Sequence, residues 1–543
     1  VFNKVDLAPR RVVLILASGG IVILLWLGLV AGLSIAPIQH AQALANIHYV
    51  DDDNCPGPGT GTIDDPFCRI QDGVEAATDE DEILIATGTY TDIHQRDGIT
   101  QVVYLTKGVT ILGGYNGDFA AWDPDLYPTT LDAGSLGRVL VITGSITPTV
   151  VGLHVTGGDA SGLGGLSGDP ASFDAGGGVY AYGATPTISR CTFYSNTAST
   201  TDRGFGGGLY LEGATLLVGN TMRENTASTA NFGSGGGMYL NYGDGSVLDG
   251  NTVLSNTASV VGGGSGGGVR LHQSDTALMG NTFRGNVAST ATSDWGYGGG
   301  LYVYNSDISL TENSLRGNTA STLYSAYGGG AYLRGGDFTV EGNWIVGNIA
   351  SQNPGYTGLG GGVYVYQARV ITLVNNVIAD NYAYHFGSGI SIDSEPSDPT
   401  IARLLHNTIA DNEGGTGGVR LDTHVTAFVT NTILAGHTNA ALRVEGTSTA
   451  TLEATLWHGN GSLTFGDGLV ISSTNFYSPP GFVDPSAWDY HLAAESAAID
   501  RVVGGSGIAT DIDGQARPAG DGYDLGADEY WNRVYLSLVI RNQ

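Results

Sequence analysis

The sequence predicts an all-β fold, a right-handed parallel β-helix with three short strands per coil and an N-terminal capping helix. Three observations carry this. Gly-Gly-Gly triplets begin at residues 176, 206, 235, 266, 298, 328 and 360, each followed by an alternating stretch such as Val179-Tyr180-Ala181-Tyr182 or Leu301-Tyr302-Val303-Tyr304. Further along each repeat stands an asparagine, at Asn220, Asn251, Asn281, Asn313, Asn343, Asn376 and Asn407, with a second at Asn225, Asn256, Asn286, Asn318, Asn348, Asn381 and Asn412. Between the two lies an apolar residue: Met222, Val253, Phe283, Leu315, Ile345, Ile378 and Ile409. Period-two alternation buries one face of a strand, and a repeat of roughly 30 residues marks stacked units sharing one core. Helical solenoids share that length, but triple glycines, short β-branched and aromatic runs and Asn at fixed turns oppose helices. A dozen coils stacked about 4.8 Å apart make a rod on the order of 55–60 Å long. Glycine permits positive φ or close backbone approach, and stacked amides hydrogen-bond along the axis, so both repeats read as structural.

The elements follow in order. Residues 1–45 form an export segment: Lys4, Arg10 and Arg11 precede an uncharged apolar run from Val12 to Ala36, and Ala41-Gln42-Ala43 offers a small-x-small cleavage site. Two fates are open, removal as a signal peptide or retention as a membrane anchor, because the run is long enough to span a bilayer. Either places the rest outside the cytoplasm, extracellular or on a bacterial cell surface. Residues 46–82 read as an N-terminal cap. There Asp65 is placed as helix N-cap and Pro66 at the first helical position, with Phe67, Ile70, Val74 and Ala77 on one face. Cys55 and Cys68 stand close enough in sequence to close a loop in an oxidising compartment, whereas Cys191 occupies a ladder-Asn position and reads as a packed thiol. Residues 83–470 are the helix repeats, starting with strands at Ile83–Ala86 and Val109–Leu112. Residues 471–543 form a distinct C-terminal capping or anchor-like region, in which the stretch from Val534 is a possible last strand.

A formal net charge of −30 over 543 residues argues against nucleic acid and against anionic lipid as partners, leaving the N-terminal segment as the sole membrane link. Among the repeats, two outward rows stand out. The first reads Tyr180, Tyr210, Tyr239, Arg270, Tyr302, Tyr332, Tyr364, Ser391, Arg420; the second Tyr182, Glu212, Asn241, His272, Tyr304, Arg334, Tyr366, Asp393, Asp422. Exposed aromatic rings beside hydrogen-bonding groups suit stacking against sugars, so Tyr180, Tyr210, Tyr239, Tyr302, Tyr304, Tyr332, Tyr364, Tyr366, His272 and Arg334 are the candidate ligand-binding residues, for an extracellular polysaccharide. Cross-strand stacking that only stabilises the sheet accounts for the same rows, and a passive spacer needs no ligand at all. The alternative is a carbohydrate-active enzyme, a glycoside hydrolase or a polysaccharide lyase. Asp393 and Asp422, in equivalent places of successive coils with Arg420 beside them, are the catalytic candidates for the former, with Asp380 and Asp411 as a second stacked pair. For a lyase, His272, Arg270 and Arg334 are the clustered base and charge neutralisers. No phosphate loop, zinc spacing or nucleophile elbow is convincing.

Near the end, Ser496-Ala497-Ala498-Ile499-Asp500, Thr510-Asp511-Ile512-Asp513-Gly514-Gln515-Ala516-Arg517-Pro518 and Asp524-Leu525-Gly526-Ala527-Asp528-Glu529-Tyr530 resemble the choice-of-anchor Q region of bacterial surface β-helix proteins. With Tyr49-Val50-Asp51, Asp65-Pro66-Phe67 and Gly113-Gly114-Tyr115, the chain from Ile47 onward is similar to the pectate-lyase-like β-helix superfamily. The resemblance implies this fold and cell-surface placement, and a role in adhesion or scaffolding, without naming a reaction. The polygalacturonase-type and pectate-lyase catalytic signatures are absent, which counts against those activities. In the terminal segment Asp511, Asp513 and Asp524, with Asp521 and Asp528, form an oxygen-rich candidate site for Ca²⁺.

Overall fold

The computed structural model describes residues 45–165, 173–504 and 506–531, which include a parallel β-helix running from Ile47 to Phe476. The apolar run Val12–Ala36, the cleavage motif and the stretch from Val534 lie outside the described residues. Among those described, no helix is long and apolar enough to cross a membrane.

One coil shows how the repeat folds. Leu301–Tyr304 pairs in parallel register with Ala331–Arg334, and its alternation sends Leu301 and Val303 into the core while Tyr302 and Tyr304 point away. The chain then runs through Ile308–Thr311 and Ser314–Arg316, whose Ile308, Leu310 and Leu315 complete the same core. Stacking these triangles builds one apolar column from Val50 to Trp457. Each regular coil carries two further short strands, here Thr319–Ser321 and Ala326–Tyr327. The first belongs to a Thr-Ala-Ser repeat at 197, 226, 257 and 319, and the second to a nine-stranded ladder, among the described residues, beside the tyrosine rows.

The glycine triplet serves two needs at once. Gly298 sits at φ +61°, and a Cβ on Gly299 would lie 2.4 Å from the carbonyl oxygen of Gly329 in the next coil. No side chain fits there.

Both asparagine ladders are continuous. Asn313 Oδ1 accepts from the main-chain N–H and the Nδ2 of Asn281 at 2.9 and 3.0 Å, while its own Nδ2 donates to Asn343 Oδ1 and to the Leu278 carbonyl. The second ladder repeats this and starts one coil earlier, at Asn196. The left-handed geometry expected of the asparagines belongs instead to the residue before each: Glu312 and Gly317 have φ +56° and +60° in this coil. That turn aims the amide inward. Cys191 heads the first ladder, buried, its N–H donating to Asn220 Oδ1 at 3.0 Å, and burial pushes its thiol up to about 12.

At the N-terminal end the helix is shorter than expected. It spans Ile70–Ala76, with Arg69 as N-cap. Asp65 and Pro66 lie outside it because Phe67 is held extended, bridged to Val50 with its carbonyl accepting from Asp51 N–H, and because Cys68 is joined to Cys55 by a disulfide. The helix still covers the first coil: Ile70, Val74 and Ala77 join the core, and a Cβ on Gly73 would sit 3.1 Å from Val50. Ile47–Val50 is itself the first rung, paired with Glu82–Ile85.

The C-terminal region lies along the flank of the last coils. Tyr490, Leu492, Ala498, Leu525 and Ala527 form a second apolar cluster with Val346, Val377, Ala410 and Ile433, residues on the outer side of the sheet. Buried Arg517 fastens it, donating to Glu529 at 2.8 Å and to the carbonyls of Gly526 and Ala527.

Candidate functional site

Strand register brings both outward rows together as read from the sequence: Tyr302 pairs with Tyr332 and Tyr332 with Tyr364, Tyr304 with Arg334 and Arg334 with Tyr366. Their exposure differs from expectation. Tyr210, Tyr239, Tyr302, Tyr332 and Tyr364 are buried, because the nine-stranded ladder packs Phe205, Tyr297, Tyr327, Leu359 and Phe386 against or beside them. Of the tyrosines in this row only Tyr180 is half-buried, with its ring 4.7 Å from the Arg138 guanidinium carbon. The rings pack on one another: Tyr180, Tyr210 and Tyr239 stack at 5.5 Å between successive centroids, whereas Tyr302, Tyr332 and Tyr364 meet at 4.9 Å with their planes inclined by 33° and 60°. Burial pushes the phenol pKa values of this row up, so the hydroxyls stay neutral donors.

Most of the second row remains partly open, Asn241 and Asp393 being buried, and its Arg334 and Tyr366 line a cleft of about 520 Å³. Its lining combines Tyr297, Tyr302, Tyr332 and Tyr366 with two arginines, Arg270 and Arg334. Arg334 lies over the rings of both Tyr304 and Tyr366, at 5.2 and 5.3 Å, and Arg270 lies over Tyr239 and Tyr302 while donating to Ser234 and Ser265. No carboxylate among the described residues forms an ion pair with either arginine. His272 and Tyr304, both candidates from the sequence, are not among the residues lining the cleft; they stack on each other at 5.4 Å, with His272 Nδ1 2.7 Å from Asn241 Oδ1. Burial, helped by Arg270, pushes the histidine down to about 4, so it is neutral at pH 7.

At the far end of the rows, Asp393 and Asp422 are tied to one guanidinium. Arg420 reaches Asp393 at 2.7 Å, Asp422 at 3.0 Å and Glu445 at 2.9 Å. Asp393 also accepts from the Tyr364 hydroxyl at 2.9 Å and from Ser391, which occupies both its oxygens. Burial pushes its pKa up against the pull of Arg420. Glu445 was not legible as a partner, since it follows the last clear repeat. The second pair is likewise engaged: Trp488 donates to Asp380 at 2.7 Å and Tyr490 to Asp411 at 3.0 Å, both from the C-terminal region.

A right-handed β-helix region model matches residues 171–345 and 292–456, together more than half of the sequence. The chain belongs to the right-handed β-helix family. No curated protein matches it. Solved structures similar to this β-helix protein include the pectate lyase Pel9A, at 13% identity over 90% of this chain and 97% of that one, with a TM-score of 0.33. The catalytic unit of a GH87 α-1,3-glucanase from Streptomyces thermodiastaticus aligns at 14% identity over 81% and 71%, TM-score 0.35. The A-module of the mannuronan C-5 epimerase AlgE6 from Azotobacter vinelandii aligns at 14% over 76% and 93%, TM-score 0.29.

Of the aspartates proposed for Ca²⁺ in this β-helix protein, Asp511 and Asp524 serve as backbone braces. Asp511 accepts N–H groups from Asp513, Gln515 and Glu529, and Asp524 from Asp500 and Tyr530. Asp513 and Asp528 belong to a convergent donor set with His491.

Proposed function

We propose that the protein binds an extracellular polysaccharide in the cleft between the second row and the short-strand ladder. The observation that carries this is the lining itself: the half-buried rings of Tyr297, Tyr327 and Tyr366 over the buried Tyr302, Tyr332 and Tyr364, flanked by Arg270 and Arg334, neither ion-paired with a protein carboxylate. Ring faces accept the C–H faces of pyranose sugars, and neutral phenols and guanidinium N–H groups bond their hydroxyls. The strand stacking spreads these groups over successive coils from Arg270 to Tyr366, which suits a polymer more than a single sugar. Placement outside the cytoplasm is part of the same proposal, supported by the basic and apolar leader and by the Cys55–Cys68 disulfide, which suits an oxidising compartment. The choice-of-anchor Q likeness supports a surface role in adhesion or scaffolding.

The test is retention on an array of neutral and acidic polysaccharides, comparing the parent with Arg334→Ala and Tyr366→Ala. These half-buried side chains line the cleft without belonging to the buried ring stack. Loss of one aromatic or cation–ring contact weakens binding by about three- to tenfold. Equal retention of both variants on every polymer the parent binds overturns the assignment.

A further inference from the structure

The C-terminal region brings a histidine and two aspartates to one point from segments distant in sequence. Ligand atoms of His491, Asp513 and Asp528 all lie within 4.8 Å of one another. His491 stands between two carboxylates: its Nδ1 is 2.6 Å from Asp489 Oδ1, the carboxylate–histidine arrangement that orients the ring in metal sites, and this turns Nε2 towards Asp513. Nε2 is buried and pairs with Asp513 Oδ2 at 3.3 Å, a contact that a shared cation would replace by displacing the Nε2 proton. Tetrahedral zinc with bonds of about 2.0–2.1 Å has ligand edges of about 3.3 Å, so this separation suits two groups sharing an ion. Asp528, 94% removed from solvent by its 6% exposure, has Oδ2 held by Leu492 N–H at 2.7 Å.

We infer that His491, Asp513 and Asp528 form a site for a zinc-type divalent transition cation that clips the C-terminal region together. One imidazole and two carboxylates give three protein ligands, with water to complete a tetrahedron. A nitrogen donor distinguishes this set from the all-oxygen Ca²⁺ site expected from the aspartates alone. The ion joins the strand Asp489–Leu492, the turn at Asp513 and the segment at Asp528, and Trp344, 5.3 Å from the His491 ring, carries that clip to the β-helix flank. Binding energy at such a site becomes folding energy.

The experiment titrates chelator-stripped full-length protein with Co²⁺ and Zn²⁺ at pH 7.5. The expected result is one equivalent of Co²⁺ with the intense visible absorption of a tetrahedral site, displaced by Zn²⁺, and a Zn²⁺-dependent rise in melting temperature. His491→Gln loses the visible band and the melting shift. Asp489→Asn, which keeps all three ligands, weakens affinity by about tenfold or more through the orienting hydrogen bond, and it reports on the site should His491→Gln misfold. Absence of tetrahedral Co²⁺ absorption in the parent, or parent-like binding by Asp489→Asn, overturns the assignment.

Discussion

Arg420 is almost fully removed from solvent and holds three carboxylates, so its replacement leaves buried negative charge without a counterion. Arg420→Met is expected to cost about 3–5 kcal/mol, read as a fall in the denaturant midpoint, with the Asp393→Asn, Arg420→Met double variant recovering part of it. The catalytic candidates Asp393 and Asp422 were legible as a stacked pair because strand register follows from the repeat. Their capture by Arg420, Tyr364 and Glu445 was not, since Glu445 arrives from an irregular coil. The tyrosine rows show the same division. Alternation located every ring, but the cover over Tyr302, Tyr332 and Tyr364 comes from two-residue strands whose sequences, such as Gly296–Tyr297 and Ala326–Tyr327, are too short to carry a period.

The asparagine ladder is the element most fully written in the sequence, since one residue type at one spacing can only stack on itself. Its cost of interruption is correspondingly local and large. Asn313→Ala takes the amide donor from the Leu278 carbonyl and the acceptor from the Asn281 main-chain N–H in the interior, while Asn343 Oδ1 keeps the main-chain N–H of residue 313 and Asn281 Nδ2 keeps the Leu248 carbonyl, an expected loss of about 2–4 kcal/mol by chemical denaturation. The converse change belongs to Cys191. Asn at that position is placed to donate to Asn220 Oδ1 and to the Val150 carbonyl now facing the thiol, so Cys191→Asn is expected to stabilise by about 1 kcal/mol, visible as a higher melting temperature. The N-terminal helix was legible by its apolar face but misplaced at its start, because a disulfide and a bridge outside the local pattern override Asp65 and Pro66. The C-terminal motif was legible as a unit; its docking along the flank was not, as the outward residues Val346, Ala410 and Ile433 look like any strand positions until something covers them.

At the scale of the molecule, stability is tied to pH through histidines buried in the rod. His437 takes the place after Asn412 in the second ladder, fully buried, and burial pushes it down to about 4. An unfolded histidine titrates near 6.5, so between about pH 6.5 and 4 the unfolded chain binds the extra proton and stability falls as pH falls. Asp524, pushed up by burial to about 7, acts in the opposite sense, so the parent's total profile mixes both. The difference between parent and His437→Asn isolates the histidine: it is expected to widen in favour of the variant below pH 6.5 and reach about 3 kcal/mol at most near pH 4, measured as paired urea midpoints. A constant difference across that range would mean that His437 is already charged in the fold.

Each rung of the asparagine ladders donates the same two N–H groups to the next coil and accepts the same two from the last, so the interface between any two regular coils is interchangeable with its neighbours. Length in such a chain is therefore counted in whole repeats. Excising Thr282 to Asn313, which joins Asn281 directly to Ser314, leaves every remaining amide with a partner of the right kind, whereas removing a few residues from the same stretch strands two of them. Related chains would be free to grow or shorten by duplication and loss of complete coils, and the reach of the cleft lined by tyrosine and arginine would change with them in steps of one repeat.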